Sequence, residues 1–310
     1  MSGLYLGIDT SCYTTSVACI SDMGIVCDER TVLSVSPGER GLRQSEALFL
    51  HIKNLPPLLE KVFSAVEPHQ IRAIGVSASP VLTDDSYMPV FLAGLNQARA
   101  LAAALKVPLH RTAHQNGHIA AALIGNEKIS EQEFCAIHLS GGTTDVLSID
   151  RRQKITVLGA STDIHAGQFV DRVGVMLGCP FPCGKSLERL ASAAKNKDIK
   201  IPSSVRGLNC SFSGAESFAA RCLERGADGS EVAFAVYDCL SRTLAKLIEG
   251  LFERTKNERT LLFGGVASSR LLRELLAKRV GQRLYFAKPE LSSDNAVGVA
   301  YLAMKNSITA

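Results

Sequence analysis

The feature that most restricts the fold is a pattern that begins twice. Residues 4–8 form an apolar run ending at Asp9, followed by a small polar turn, the pair Thr14-Thr15 and an apolar return to Ile20. Residues 135–139 open the same way, followed by Ser140-Gly141-Gly142, the pair Thr143-Thr144 and a return through Ile149. Short apolar runs bounded by small polar turns read as buried strands. A further strand follows each return, at residues 25–33 and 155–160. An internal duplication would make this a chain of two related lobes, and two unrelated hairpins would leave the same trace. A length of 310 residues suggests about two domains in either case.

Elsewhere the spacing predicts a helix over 45–66, through Leu48, Leu55, Leu58, Leu59 and Val62, with Pro56 and Pro57 interrupting or restarting it. Strands are expected at 71–77, from 107 onward and at 261–263. Helices are expected at 90–105, 166–177, 231–252, 268–280 and 293–305, the last with Asp294 as a cap. Residues 194–204, rich in Lys and Ser, read as exposed surface.

Composition narrows the function classes only slightly. Apolar residues make up 46% of the chain, enough for two cores, and a net charge of +4 suits a polyanionic partner such as tRNA without requiring one. The nine cysteines contain no C-x-x-C pair, which excludes a zinc ribbon and a thioredoxin-type motif. Reduced thiols in a cytoplasmic protein are the expectation. No apolar run is long enough to span a bilayer, and the N-terminus lacks the features of a signal peptide.

Chemistry first suggests itself at His114-Gln115-Asn116-Gly117-His118. Histidines at i and i+4 share one face of a helix, so their ring nitrogens converge on one ion. Two ligands need a third, and a carboxylate from elsewhere would serve. The same two rings would also suit a helix end or a packed core. A zinc-protease reading fails because Gln115 occupies the position of the general-base Glu in H-E-x-x-H. Three small-residue turns, 9–11, 140–144 and 264–267, are each able to bring backbone N–H groups close to a phosphate. The stretch from Gly178 to Ser186 mimics a P-loop, but it has one residue too many between its glycines, and Pro180 and Pro182 remove donors the loop needs.

In motif order over nearly its whole length, the chain resembles the TsaD family of tRNA threonylcarbamoyl transferases, formerly the glycoprotease family. Leu6-Gly7-Ile8-Asp9-Thr10-Ser11-Cys12 is similar to its opening phosphate segment. His114 and His118 match its H-x-E-G-H pair, and Ser140-Gly141-Gly142 its second phosphate turn. Phe169-Val170-Asp171-Arg172 resembles F-D-K with one residue inserted. Pro182-Cys183-Gly184, with Glu188 beyond, resembles P-G-G. Ser211-Phe212-Ser213-Gly214, Gly264-Gly265-Val266-Ala267 and Ser293-Asp294-Asn295-Ala296 match F-S-F-S-G, G-G-V-A and T-D-N-A.

The resemblance implies an α/β chain with the actin-like ATPase (ASKHA) fold: two ribonuclease-H-like lobes around a central nucleotide cleft. Lobe I would be 1–112, completed by 291–310. Lobe II would be 113–290, with the nucleotide and metal site at the cleft, so that Asp294 meets the imidazoles across the gap between the halves. The implied reaction is metal-dependent transfer of threonylcarbamoyl from its adenylate to an adenosine of tRNA. Implied metal ligands are His114, His118 and Asp294, holding iron or zinc. Implied nucleotide-binding residues, for an ATP- or AMP-type nucleotide, are Gly141, Gly142, Asp171, Gly184, Glu188, Gly264, Gly265 and Ser269. Ser11, Ser140 and Thr143 are the expected catalytic positions. Implied partners are tRNA, the adenylate, and a small paralogous subunit with an ATPase, or a second copy of the chain; no membrane is involved. The chain departs from the family pattern at Tyr13 and Thr14 (two acids), Asn116 and Gln168 (Glu), Thr143 (His) and Ser269 (Asn), and in the turn Ser79-Pro80-Val81-Leu82. The alternative these departures keep open is a nucleotide-binding scaffold or regulator without chemistry.

Overall fold

The computed structural model describes residues 3–11, 13–34, 42–83, 85–151, 153–280 and 284–309. Cys12, in the opening motif, lies outside them. The chain divides into two compact units, Met1–Ile124 with Ser293–Ala310, and Gly125–Ser292.

In the first unit, β1 (Leu4–Thr10), β2 (Thr14–Ser21) and β3 (Gly24–Val32) form an antiparallel meander. Helix α1 (Gln44–Ala65) leads to β4 (Ile71–Ser79), and α2 (Phe91–Leu105) to β5 (Leu109–Ala113), which runs directly into α3 (His114–Leu123). β4 joins β1 in parallel and β5 joins β4, giving the order β3-β2-β1-β4-β5. The prolines do not interrupt α1. Pro56, Pro57 and the residues one turn earlier, Ile52 and Lys53, are all exposed, so the carbonyls that lose a partner face water. Leu55, Leu58, Leu59 and Val62 stay buried on the other side.

The second unit repeats the plan. β6 (Phe134–Leu139), β7 (Thr144–Ile149) and β8 (Ile155–Ala160) make the meander. Then come α4 (Ala166–Met176), α5 (Gly184–Ser192), the hairpin β9 (Ser204–Arg206) and β10 (Asn209–Ser211), α6 (Ser213–Glu224) and the long α7 (Gly229–Thr255). β11 (Thr260–Phe263), α8 (Arg270–Val280) and β12 (Leu284–Phe286) complete it, and α9 (Val297–Thr309) returns to the first unit. The order β8-β7-β6-β11-β12 and its strand directions match those of the first sheet. The turns match too. Thr10 pairs with Thr15 and Leu139 with Thr144, and the hydroxyls of Ser11 and Ser140 reach the carbonyls of Thr14 and Thr143, each at 3.5 Å. The doubled pattern is a structural duplication. Inside this unit Asp238, 2% exposed, ties Arg242 of α7 to Arg279 of α8.

The first sheet has one face for α1 and α2 and another for α9. Leu4, Leu6 and Ile8 share a core with residues of α1 and α2. Gly7 alternates to the opposite face and pairs with Gly75 of β4. A Cβ on Gly7 would meet the Ala296 carbonyl oxygen at 2.3 Å, and one on Gly75 the Val299 carbonyl oxygen at 2.5 Å. Paired glycines therefore make a flat seat for α9. The boundary falls later than the expected 112/113, because α3 belongs to the first unit. Gly117 of α3 and Gly298 of α9 meet backbone to backbone, and residues 119–123 are buried.

Candidate metal centre

Three ligand atoms converge inside the first unit. The close α3–α9 packing sets His118 beside the segment that enters α9. His114 Nε2 and His118 Nε2 are 3.0 Å apart. Asp294 Oδ1 is 3.1 Å from His118 Nε2 and 3.7 Å from His114 Nε2. Donors about 2.1 Å from a tetrahedral ion sit roughly 3.4 Å from one another, so the three separations fit one ion. The carboxylate does not arrive across a gap between halves, as the sequence suggested. It is carried by the C-terminal return into the unit that already holds α3.

Supporting contacts explain the aim of each ligand. Asp9, fully buried at the end of β1, bonds His114 Nδ1 through both oxygens, at 3.0 and 3.1 Å. That bond fixes the ring and turns Nε2 outward, as in carboxylate–histidine–metal arrangements. The Ser11 hydroxyl donates to Asp294 Oδ2 at 3.0 Å, leaving Oδ1 for the imidazoles. Asp294 does not cap α9. Asn295 Oδ1 takes that role, accepting from the N–H groups of Val297 at 3.0 Å and Gly298 at 3.4 Å. Asp9 appeared in the sequence only as part of a phosphate-type turn. Its one usable signal was an acid closing a wholly apolar strand.

Charge in this cluster is coupled. Burial opposes charge on His114, but Asp9, through its charge and hydrogen bond, and then Asp294 push the imidazole up to about 9. Burial likewise opposes charge on Asp294, but the hydrogen bond and charge of His118, the charge of His114 and the Ser11 hydroxyl hold its carboxyl far below the usual range. In the metal-free protein the His114 contribution stabilises the fold below pH 6.5 and fades as pH rises through about 9. A metal must displace that proton. Displacing that one proton is therefore expected to raise apparent affinity about tenfold per pH unit as pH climbs toward about 9, with the rise levelling off above it. Chelator competition across that range measures it, and a flat profile would contradict the Asp9–His114 coupling.

The second unit collects the remaining candidates around its own turns. β6 and β11 are adjacent and parallel, so the turns after them are neighbours. Gly264, at φ +96°, leaves no room for a side chain, because a Cβ would lie 2.3 Å from the Leu139 carbonyl oxygen. The N–H groups of Ala166 and Gly167 at the start of α4 are taken by the Thr144 hydroxyl (2.8 Å) and the Ser140 carbonyl (3.0 Å), which pins the turn 140–143 holding Ser140 and Thr143. In contrast, nothing lies within 4 Å of a Cβ built on Gly141, Gly142, Gly184 or Gly265. Asp171 accepts the Cys183 N–H at 2.7 Å, and the Tyr237 hydroxyl donates to the Gly184 carbonyl at 2.9 Å. Glu188 and Ser269 both serve the start of α8, accepting from Leu271 at 2.7 Å and Leu272 at 3.2 Å. Among the departures, Gln168 closes the start of α4 through the His165 N–H at 3.0 Å, Asn116 is buried on α3, and Tyr13 is 44% exposed.

Two meanders, each extended by two parallel strands, define the actin-like ATPase fold, here carrying a His-His-Asp donor set. The fold is similar to that of the ADPNP-bound activator of the 2-hydroxyisocaproyl-CoA dehydratase from Clostridium difficile, with a TM-score of 0.56 at 15% identity over 100% of this chain and 96% of that one. The chain belongs to the family TsaD, tRNA N6-adenosine threonylcarbamoyltransferase, whose model matches residues 35–301. Relatives named tRNA N6-adenosine threonylcarbamoyltransferase are 28% identical in Neorickettsia sennetsu (97% of this chain, 93% of that protein) and 29% identical in Methanopyrus kandleri (96% and 85%). Among the described residues no helix is long and apolar enough to cross a membrane.

Proposed function

We propose that this chain transfers a threonylcarbamoyl group from threonylcarbamoyl-AMP to the N6 amine of an adenosine in tRNA. The observation that carries the reading is the convergence of His114 Nε2, His118 Nε2 and Asp294 Oδ1 in a member of this family. The three would hold a divalent ion, iron or zinc by ligand chemistry. When bound, such an ion supplies Lewis acidity toward a carbonyl or phosphoryl oxygen and leaves positions open beyond three protein ligands.

The chain's own groups have distinct tasks. Asp9 keeps a proton on His114 Nδ1, so Nε2 presents its lone pair. Ser11 fixes the rotamer of Asp294. In the second unit the open backbones of Gly141, Gly142, Gly184 and Gly265 would accept the AMP portion, with Asp171 on the ribose and Glu188 and Ser269 shaping the wall at the start of α8. Ser140 and Thr143 would orient the reacting end. The bond from the carbamoyl carbon to the phosphate oxygen breaks, a bond from that carbon to the adenosine nitrogen forms, AMP leaves, and the amine loses one proton. Working partners would be an enzyme that makes the adenylate, and a small paralogous subunit with an ATPase or a second copy of this chain.

The test supplies metal-loaded protein with tRNA, threonylcarbamoyl-AMP and candidate partner subunits, and looks for the modified nucleoside by mass spectrometry. Product is the expected result. Tight nucleotide binding with no product under any partner combination would leave the scaffold reading standing instead.

A further inference from the structure

We propose that Arg30 is a positioning residue for the metal set, latching the loop that carries Asp294 to the edge strand β3. The inference rests on the metal reading above. His114 and His118 gain their placement from a packed helix, but Asp294 sits among residues 292–296, which are neither helix nor strand. A ligand on such a segment needs an external hold if its carboxylate is to stay within reach of two rings.

Arg30 provides that hold from across the unit. Its Nη1 donates to the Ser293 hydroxyl at 2.9 Å and to the Asp294 main-chain carbonyl at 3.3 Å. The guanidinium is itself fixed. Its Nε donates to both oxygens of Asp28, at 3.0 and 3.1 Å, and Nη2 pairs with the same carboxylate. Asp28 and Arg30 lie two apart on β3, so their side chains share one face of the strand. One carboxylate thus consumes two arms of the fork and leaves the third aimed at the loop. A planar fork with several donors can serve both partners at once, whereas a single ammonium serves one or the other. Ser11 then holds the carboxylate while Arg30 holds the main chain behind it. With the latch gone, Asp294 samples other positions and the ion loses its third ligand for part of the time. Groups that orient metal ligands typically matter about 10–100-fold in affinity.

The experiment uses the full chain, stripped of metal and titrated with cobalt(II), whose visible absorption reports coordination geometry, with zinc(II) as competitor. Arg30→Met, Arg30→Lys and Asp28→Asn are compared with wild type, and the melting temperature of each metal-free protein is recorded. Arg30→Met is expected to weaken binding about tenfold or more. Its metal-free melting temperature should stay within about 2 °C of wild type, as for most partly exposed substitutions. Arg30→Lys should recover only part of the affinity, and Asp28→Asn should fall between Arg30→Met and wild type. Wild-type affinity in Arg30→Met would overturn the latch, and so would full recovery by Arg30→Lys. The metal reading fails separately: it falls if the wild-type chain binds cobalt no better than His114→Ala does.

Discussion

His118→Ala is expected to lose stable metal binding and to bring formation of the modified nucleoside down to background. His118 Nε2 stands 3.0 Å from His114 Nε2 and 3.1 Å from Asp294 Oδ1, so it is the ring closest to both other donors. Its removal leaves one imidazole and one carboxylate. The loss should exceed the roughly hundredfold upper range for groups that merely support a ligand. Nucleotide binding should survive, because the candidate nucleotide residues all belong to the second unit. Metal content after gel filtration, chelator competition and the nucleoside assay together give the answer. Wild-type metal content with wild-type product in this variant would remove the catalytic role assigned to the site.

Gly298→Ala carries the second large effect, through backbone rather than ligand. A Cβ at this position would lie 1.9 Å from the Gly117 carbonyl oxygen and 2.6 Å from the Ala121 nitrogen. Both atoms are helix backbone and have no rotamer to change. The added methyl must push α9 off α3. Overpacking of this kind costs about 1–3 kcal/mol, and a rigid obstacle on both sides argues for the upper end. For a unit of this size that is a fall in melting temperature on the order of 10 °C. The displacement also moves Asp294, which precedes α9, relative to His118, so metal affinity should fall with stability. Gly142→Ala is the matched comparison, since a Cβ there meets nothing within 4 Å and stability should hold. Thermal unfolding of the two variants decides the point, and equal melting temperatures would show that the helices separate without penalty.

What could be read beforehand depended on how local the cause was. Most of the long strands and helices came through because apolar spacing and turn residues act over a few positions, whereas α5, α6, the β9–β10 hairpin and β12 were not expected. The doubled meander was visible as a repeated order of runs and turns. Pro56 and Pro57 misled, because the cost of a proline depends on whether the orphaned carbonyl faces water, and the chain alone does not reveal which face of α1 is wet. Asp294 looked like a cap for the last helix by position, yet Asn295 caps it, because the acid is drawn to His118 and Ser11. Family motifs named the ligands and the glycine turns, and contained Asp9 and Ser11, but did not reveal that these two aim His114 and Asp294.

The sequence by itself determined the repeated order of apolar runs and turns, the i, i+4 spacing of His114 and His118, the small-residue turns and the family resemblance. These follow from periodicity and from chemistry carried within short segments. Tertiary structure alone decided that all three ligands share one unit, that Asp9 orients His114, and that Arg30 reaches the Asp294 loop. The physical reason is the route of the chain. Asp294 meets Arg30 and Ser11, 264 and 283 residues away, because α9 folds back onto a seat of paired glycines, while His114 meets Asp9, 105 residues away, because β4 and β5 carry α3 alongside β1; no local pattern encodes either kind of contact.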